Sequence, residues 1–376
     1  MTGLDMIQKT DSPMISVVIP VYNMEAYLRN CLDSVALSTW KDMEIICVDD
    51  GSTDRSLEIL REYADKDSRI RILTQDHKYA GAARNAGIQA AGGKYIHFLD
   101  SDDEILPDAY EKMMAAAEAV DAEVCECLYT NVDAGTGETV DEPVFFSYDG
   151  QAPYLSLYDG GKSEYTLIRG HVVPWNKIYL RSFLTENGIR FDDLICAEDR
   201  SFYFGVILKA RRIVRLQDRF VLHRIRIGTS LDGSDVRLRH FDVEFRSFEH
   251  IWELAKDAPE GIRMQILGNC IGDSYFYYRR SVGTPYEAGI RKELYEYWRP
   301  YLPICGKYVF KTEWFLIYME IAAELADGWK GRVTRFLVRR YMKSRPRKDF
   351  LARYERAGIR FLIYRILILP DKREMD

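Results

Sequence analysis

No two cysteines of the chain stand in a CxxC spacing. The seven (Cys31, Cys47, Cys125, Cys127, Cys196, Cys270, Cys305) are odd in number and scattered. That excludes a zinc knuckle or a disulfide framework and fits reduced thiols in a cytoplasmic protein. No uninterrupted apolar run reaches about 18 residues, so no membrane span is expected. The stretch Met1 to Met14 is polar, carries Asp5 and Asp11, and has no apolar core of a secretory signal. Internal repeats and low-complexity segments are absent. Positive charge is not in excess: 52 Lys/Arg stand against 58 Asp/Glu, a net charge of -6. That balance argues against a general nucleic-acid binder.

What is present is an ordinary globular composition, 47% hydrophobic and 29% charged over 376 residues. The length is enough for two domains with sizeable cores. The charge is uneven, however. Residues 330–376 hold 15 Lys/Arg and 5 Asp/Glu, while the other 329 residues hold 37 and 53. An acidic body therefore carries a basic tail.

The first hundred residues alternate between two hydrophobic periods. Ile15 to Ile19 is short and β-branched, a buried strand. Met24 to Leu37 places Ala26, Leu28, Cys31, Leu32 and Val35 near a 3.6 repeat, a helix. Strands follow at Glu44–Val48, Arg69–Leu73 and Tyr95–Leu99, and helices at Thr53–Tyr63 and Ala80–Ala91. Ser52 is the expected N-cap of the second helix, and Gly92-Gly93 the expected C-cap of the third. Repeated strand–helix units of this kind imply a parallel sheet covered by helices, with ligands at the carboxyl ends of the strands. Residues 101–235 read as mixed. A helix is expected over Pro107–Val120, a strand over Glu123–Tyr129, and a hairpin or surface loop over Asn131–Pro143. From about 240 the pattern is mostly helical and aromatic, as in Phe241–Ala255 and Trp314–Trp329. The expected division is 1–237 and 238–376.

Three polar groups follow three strands: Pro20-Val21-Tyr22-Asn23, Asp49-Asp50-Gly51-Ser52 and Asp100-Ser101-Asp102-Asp103. A D-x-D on an extended segment puts two carboxylates on one side. Oxygen-only ligands suit Mg²⁺ or Mn²⁺ and not zinc. The first group is not the glycine-rich phosphate loop with a basic residue that a nucleotidyltransferase would show there.

Four stretches carry a resemblance: Val18–Asn23, Val48–Asp54, Ala82–Gly87 and Phe98–Asp103. In this order and spacing they resemble the family 2 glycosyltransferases of the GT-A fold, of the bacterial type that builds surface polysaccharides. The resemblance covers about residues 14–230, is specific in the first 105 and is weak after 240. It implies an α/β GT-A (Rossmann-like) fold, a mainly parallel sheet flanked by helices, with a mostly helical C-terminal region. It also implies a nucleotide-sugar donor, usually a UDP-sugar. Pro20, Tyr22 and Asn23 would lie at the base, with the Tyr22 ring packing on it. Asp50 would accept from the uracil N–H, and Asp49 would support the loop. Arg84 and Asn85 would sit near the nucleotide. Asp100 and Ser101 would meet the ribose, and Asp100 and Asp102 would hold Mn²⁺ or Mg²⁺. The stretch Gln75–Gly81 departs from the family by being longer and bulkier than its usual glycine- and serine-rich version, and His77 reads as a loop residue.

Members of the family carry a Glu-Asp pair at the acceptor side, matched here by Glu198-Asp199. An inverting transfer needs a carboxylate to take the acceptor hydroxyl's proton. Asp199 is the expected base and Glu198 a positioning residue. In Pro174-Trp175-Asn176-Lys177, Trp175 is read as stacking on a sugar face or packing in the core. Lys177 is read as meeting phosphate or acceptor. The resemblance places Leu222 to Ser230 near the diphosphate. His223 is a candidate contact there, and a third metal ligand as in some GT-A enzymes although an aromatic is more usual at that place, while Arg224 or Arg226 would help to neutralise the departing UDP.

The tail, Arg332 to Leu369, interleaves basic and apolar residues as an interfacial amphipathic helix does. Binding to an anionic membrane surface is the expectation, with packing on the acidic body as the alternative. The enzyme would then work at the inner face of the cell membrane on a glycan or lipid-linked acceptor. A non-catalytic UDP-sugar-binding, membrane-associated subunit is the alternative, against which the intact Asp100, Asp102 and Asp199 argue.

Overall fold

In the computed structural model, residues 13–140, 154–157, 171–225, 236–301 and 332 are described. The chain divides into two compact units between Ser234 and Asp235.

The first unit is built on β1 (Ile15–Val21), every residue of which is buried. Its β-branched side chains fill both faces, as a central parallel strand requires. β1 pairs in parallel with β2 (Met43–Asp49) on one side and β4 (Tyr95–Phe98) on the other. β3 (Ile70–Thr74) extends the sheet beyond β2, also in parallel. The helices α1 (Leu28–Ala36), α2 (Ser56–Ala64) and α3 (Tyr79–Ala90) connect them. β5 (Glu104–Ile105) and α4 (Ala109–Glu118) follow. Beyond β4 the sheet is mixed. β9 (Lys177–Leu180) inserts antiparallel between β4 and β6 (Val124–Asp133). β10 (Arg212–Ile225) then pairs in parallel with β6 and antiparallel with β5 and with β8 (Tyr154–Leu157). β7 (Thr139–Val140) closes a hairpin on β6. The parallel sheet expected from the sequence thus holds for the four N-terminal strands, and antiparallel insertions complete it. α5 (Arg181–Glu186) and α6 (Glu198–Ile207) lie between β9 and β10.

Three expectations change in detail. Helix α1 buries Leu28, Cys31, Leu32 and Val35 but starts four residues later than expected. The amides of Met24 and Glu25 donate instead to Ser56 Oγ (2.8 Å) and Asp54 Oδ2 (3.0 Å). Ser52 does not cap α2, which begins at Ser56; its Oγ accepts from the Asn23 amide. Gly92-Gly93 is not a left-handed cap: the residue after α3, Ala91, is extended. A Cβ on Gly93 would lie 2.5 Å from the Ser16 nitrogen, so glycine is required by close approach to β1.

One core lies on the face of β1, β2 and β4 that carries Ile15, Val17, Ile19, Met43, Ile45, Cys47 and Tyr95, packed with α1 and α4. A neutral histidine is built into it. His97 Nε2 donates to the Trp175 carbonyl (2.7 Å), which leaves Nδ1 to accept from the Tyr110 hydroxyl (2.9 Å). Burial lowers its pKa to about 4. No disulfide joins the described cysteines, all of which are buried.

The second unit is helical over its described residues: α7 (Val236–Arg239), α8 (Val243–Leu254), α9 (Glu260–Ser281) and α10 (Glu287–Trp298). Phe245, Phe248, Tyr297, Trp298 and Tyr301 pack there as one aromatic cluster. The helix expected at Trp314–Trp329 and the basic tail, Arg332 apart, lie outside the described residues. No described helix is long and apolar enough to cross a membrane.

Candidate active site

Because β1, β2 and β4 run in parallel, their carboxyl ends share one edge of the sheet. Val21 pairs with Asp49, and the Leu99 amide donates to Val18. The three polar groups of the sequence therefore line one crevice edge.

At the β1–β2 end, Tyr22 is exposed and its ring stacks on His77, centroids 3.9 Å apart. Tyr79 meets this histidine edge-on at 4.6 Å. His77 Nδ1 lies 2.8 Å from Asp50 Oδ2. Asp50 is buried, and its Oδ1 accepts from Gln75 Nε2 (2.6 Å) and the Lys78 amide (2.8 Å). Asp49 Oδ1 is buried with no hydrogen-bond partner among the described residues. Pro20 is buried within β1. Asn23 has a positive φ of 53°, and its Oδ1 accepts from the amides of Thr53 (2.7 Å) and Asp54 (3.3 Å). It clasps the two strand-end loops together. His77, read from the sequence as a loop residue, instead walls the Tyr22 ring. The bulk of Gln75–Gly81, where the family is small, is the signal that marked it.

At the β4 end the Asp103 amide donates to the Asp100 carbonyl (3.0 Å), so the D-x-D lies in a turn and not on an extended strand. The turn brings carboxylate oxygens of Asp100, Asp102 and Asp103 within 4.8 Å of one another. Ser101 is buried inside it. Cys31 Sγ of α1 supports the turn by donating to the Asp100 carbonyl (3.6 Å). Burial, with the charges of Asp103 and Asp100, pushes the Asp102 carboxyl up to about 7. Asp103 is already engaged: it accepts from His223 Nδ1 (3.0 Å) and the Arg224 amide (2.9 Å). Burial lowers the His223 pKa, but the Asp103 charge and hydrogen bond, with Asp100 and Asp102, raise it to about 9. The His223 ring stacks on Trp175 at 4.3 Å. This oxygen-rich, mutually repelling set is of the kind that a divalent cation would fit, with Asp100 and Asp102 the residues that would hold it and Asp103 engaged behind them.

Beside the turn, Arg84 of α3 is buried between two carboxylates. Nη2 lies 2.7 Å from Asp100 Oδ1 and Nη1 2.8 Å from Glu198 Oε1. Glu198 and the half-buried Asp199 form the first turn of α6. The sequence-selected acids of the donor and acceptor sides are thus one side chain apart.

Other selected residues make hydrogen bonds within the protein. The Asn85 side-chain amide donates to the Phe191 carbonyl and accepts from the Phe191 amide, both at 2.9 Å. Lys177, selected for phosphate or acceptor, has its ammonium engaged internally. It is buried and donates to the carbonyls of His171 (2.6 Å) and Val173 (2.8 Å) and to Asn176 Oδ1 (2.7 Å). Trp175 is buried, with one ring face against His223. Arg224 pairs with Glu104. Arg226 lies outside the described residues.

The family model for glycosyl transferase family 2 matches residues 16–187. The chain is 34% identical over 231 residues to the glycosyltransferase GlyG of Streptococcus pneumoniae, covering 58% of this chain and 73% of GlyG. The chain belongs to glycosyl transferase family 2. It is also 35% identical over 224 residues to EpsH of Bacillus subtilis, 58% of this chain, and that match spans less than two thirds of EpsH, 63%. In fold this family 2 chain is similar to S. aureus TarS 1-349 in complex with UDP-GlcNAc. That likeness has a TM-score of 0.63 at 22% identity and covers 88% of this chain and 90% of the other.

Proposed function

We propose that the chain is an inverting, metal-dependent glycosyltransferase. It moves a sugar from a nucleotide-sugar, a UDP-sugar by preference, to a hydroxyl of a glycan or lipid-linked acceptor in cell-surface polysaccharide synthesis. The observation that carries this reading is the placing of Asp100 and Glu198 on opposite sides of the Arg84 guanidinium. The UDP-GlcNAc held by TarS on the same fold supports the donor class.

In the mechanism, the exposed Tyr22 ring receives the base. Asp199 takes the proton of the acceptor hydroxyl, whose oxygen attacks the anomeric carbon in line. The bond from that carbon to the diphosphate oxygen breaks, and UDP leaves with inverted configuration at the sugar. Asp100 and Asp102 would hold Mn²⁺ or Mg²⁺, which when bound would supply charge neutralisation for the diphosphate. Residues 1–237 are the transferase domain of this reading and 238–376 a helical region with the basic tail.

UDP release measured across nucleotide sugars, with Mn²⁺ and then with chelator, tests it. Release from at least one sugar, lost on chelation, is expected. Asp199→Asn should abolish release while UDP binding by calorimetry persists. Full turnover by that variant removes Asp199 as base.

The tail places the enzyme at the inner face of the cell membrane in this reading. Each basic residue near an anionic leaflet contributes about 1 kcal/mol. The full chain should float with phosphatidylglycerol vesicles, and the R339E/R340E/K343E variant should not. Equal flotation of the two removes the membrane role.

A further inference from the structure

Helix α3 grips the segment leading into α6 at three points on one face. At Gly81 an added Cβ would lie 2.6 Å from the Asp192 carbonyl oxygen and 3.0 Å from Glu198 Cγ, so only glycine admits this approach. Three and four residues on, where a helix presents the same face, Arg84 holds Glu198 and Asn85 holds the Phe191 backbone through two hydrogen bonds. The Phe191 ring lies flat on Phe202 of α6, centroids 4.0 Å apart. Between these anchors Ala197 adopts φ 65°, ψ 14°, with no side-chain cap for the helix it precedes. A non-glycine residue keeps that conformation only where its surroundings over-determine it.

From this arrangement we infer that Arg84 is a positioning residue. Its fork joins Asp100 of the donor side to Glu198, and so sets Asp199 at a fixed place relative to the departing group. The inference rests on the reading of Asp199 as base. Arg84 does not serve as a free diphosphate contact, since both its Nη atoms are engaged and its side chain is 6% exposed. A lysine has the charge but not the fork. It can reach one carboxylate with directed geometry and not both, so Arg84→Lys is not conservative. Misplacing a catalytic group by about 1 Å costs on the order of 100-fold in rate.

The test uses the full chain with R84K, E198Q and R84K/E198Q. Amide hydrogen exchange over residues 191–202 should rise by about tenfold in R84K, while β1, β2 and β4 stay protected. Its kcat for UDP release should fall by about 10- to 100-fold, more than donor KM rises. The double variant should be no slower than the slower single one, because both act through one link. Unaltered exchange over 191–202 overturns the inference. So does a rise shared equally by the central strands, which marks a plain core residue, and so do rate losses that multiply in the double variant. If the wild-type chain releases UDP from no nucleotide sugar, the proposed function fails, while the exchange pattern still decides the role of Arg84.

Discussion

Asp102→Asn is expected to lower metal-stimulated UDP release by about 1000-fold, the scale of losing a main electrostatic group at a transition state. The same change should leave the metal-free protein at least as stable as the wild type. Asp102 sits among Asp100 and Asp103 with ligand oxygens within 4.8 Å, and their repulsion is relieved when one charge is removed. The folded protein keeps the Asp102 proton up to about 7, whereas the unfolded chain releases it near the ordinary value of 3.8. Between those values the folded state binds more protons, so this group makes stability fall as pH rises. The Asp102→Asn variant should not show that fall. Mn²⁺ should raise the melting temperature of the wild type and not of the variant. A wild type whose melting temperature ignores Mn²⁺, or a fully active variant, would remove the cation from this site.

Glu126→Gln is expected to be the most destabilising of these changes, by about 3–5 kcal/mol, because it leaves two buried cations without their counter-charge. Register sets the trio up. Glu126 of β6 stands opposite Lys177 of β9 and Arg215 of β10. Arg215 Nε donates to Glu126 Oε2 at 2.8 Å, and Lys177 Nζ lies 3.4 Å from Oε1. Burial works against the ionised carboxylate, but Lys177, Arg215 and His171 carry its pKa down to about 2. Its stability contribution is therefore full above the unfolded value of 4.5 and is lost as pH falls toward 2. Chemical denaturation at pH 7 and along an acid series checks both points. A Glu126→Gln loss below about 1 kcal/mol, the range of an exposed pair, would show that the cations reach solvent. The trio ties together β9, which follows Trp175, and β10, which carries His223, so activity should fall with stability and not independently of it.

How much of this was legible beforehand differs by residue. Strands β1 to β4, the acidic strand ends and the Glu198-Asp199 helix start are local patterns, read from periodicity and from motifs of six or seven residues. The roles of Lys177, Asn85 and His77 were not legible. A lysine after Trp-Asn looks the same whether it meets a phosphate or a carbonyl cage. Its environment comes from Glu126, 51 positions away in the sequence, through a register that no local pattern encodes. Asn85 likewise sits in a family motif beside Arg84, and one turn of helix geometry directs it to a backbone clasp. The Asp100–Asp103 turn was read as an extended pair, because residue spacing alone does not distinguish a turn from a strand end.

Local chemistry accounts for the order of the elements, the family to which the chain belongs and the acidic character of the crevice edge. Propensity, hydrophobic period and short motifs act over a few residues, and each is written in the chain directly. Only the packed sheet decides which polar groups remain available to a ligand and which are consumed by the protein. Burial makes an unpaired charge costly, so charged side chains that enter the interior are drawn to the partners that sheet register and helix packing bring to them. That choice sent Lys177 to Glu126, His223 to Asp103 and Arg84 to the two carboxylates it joins.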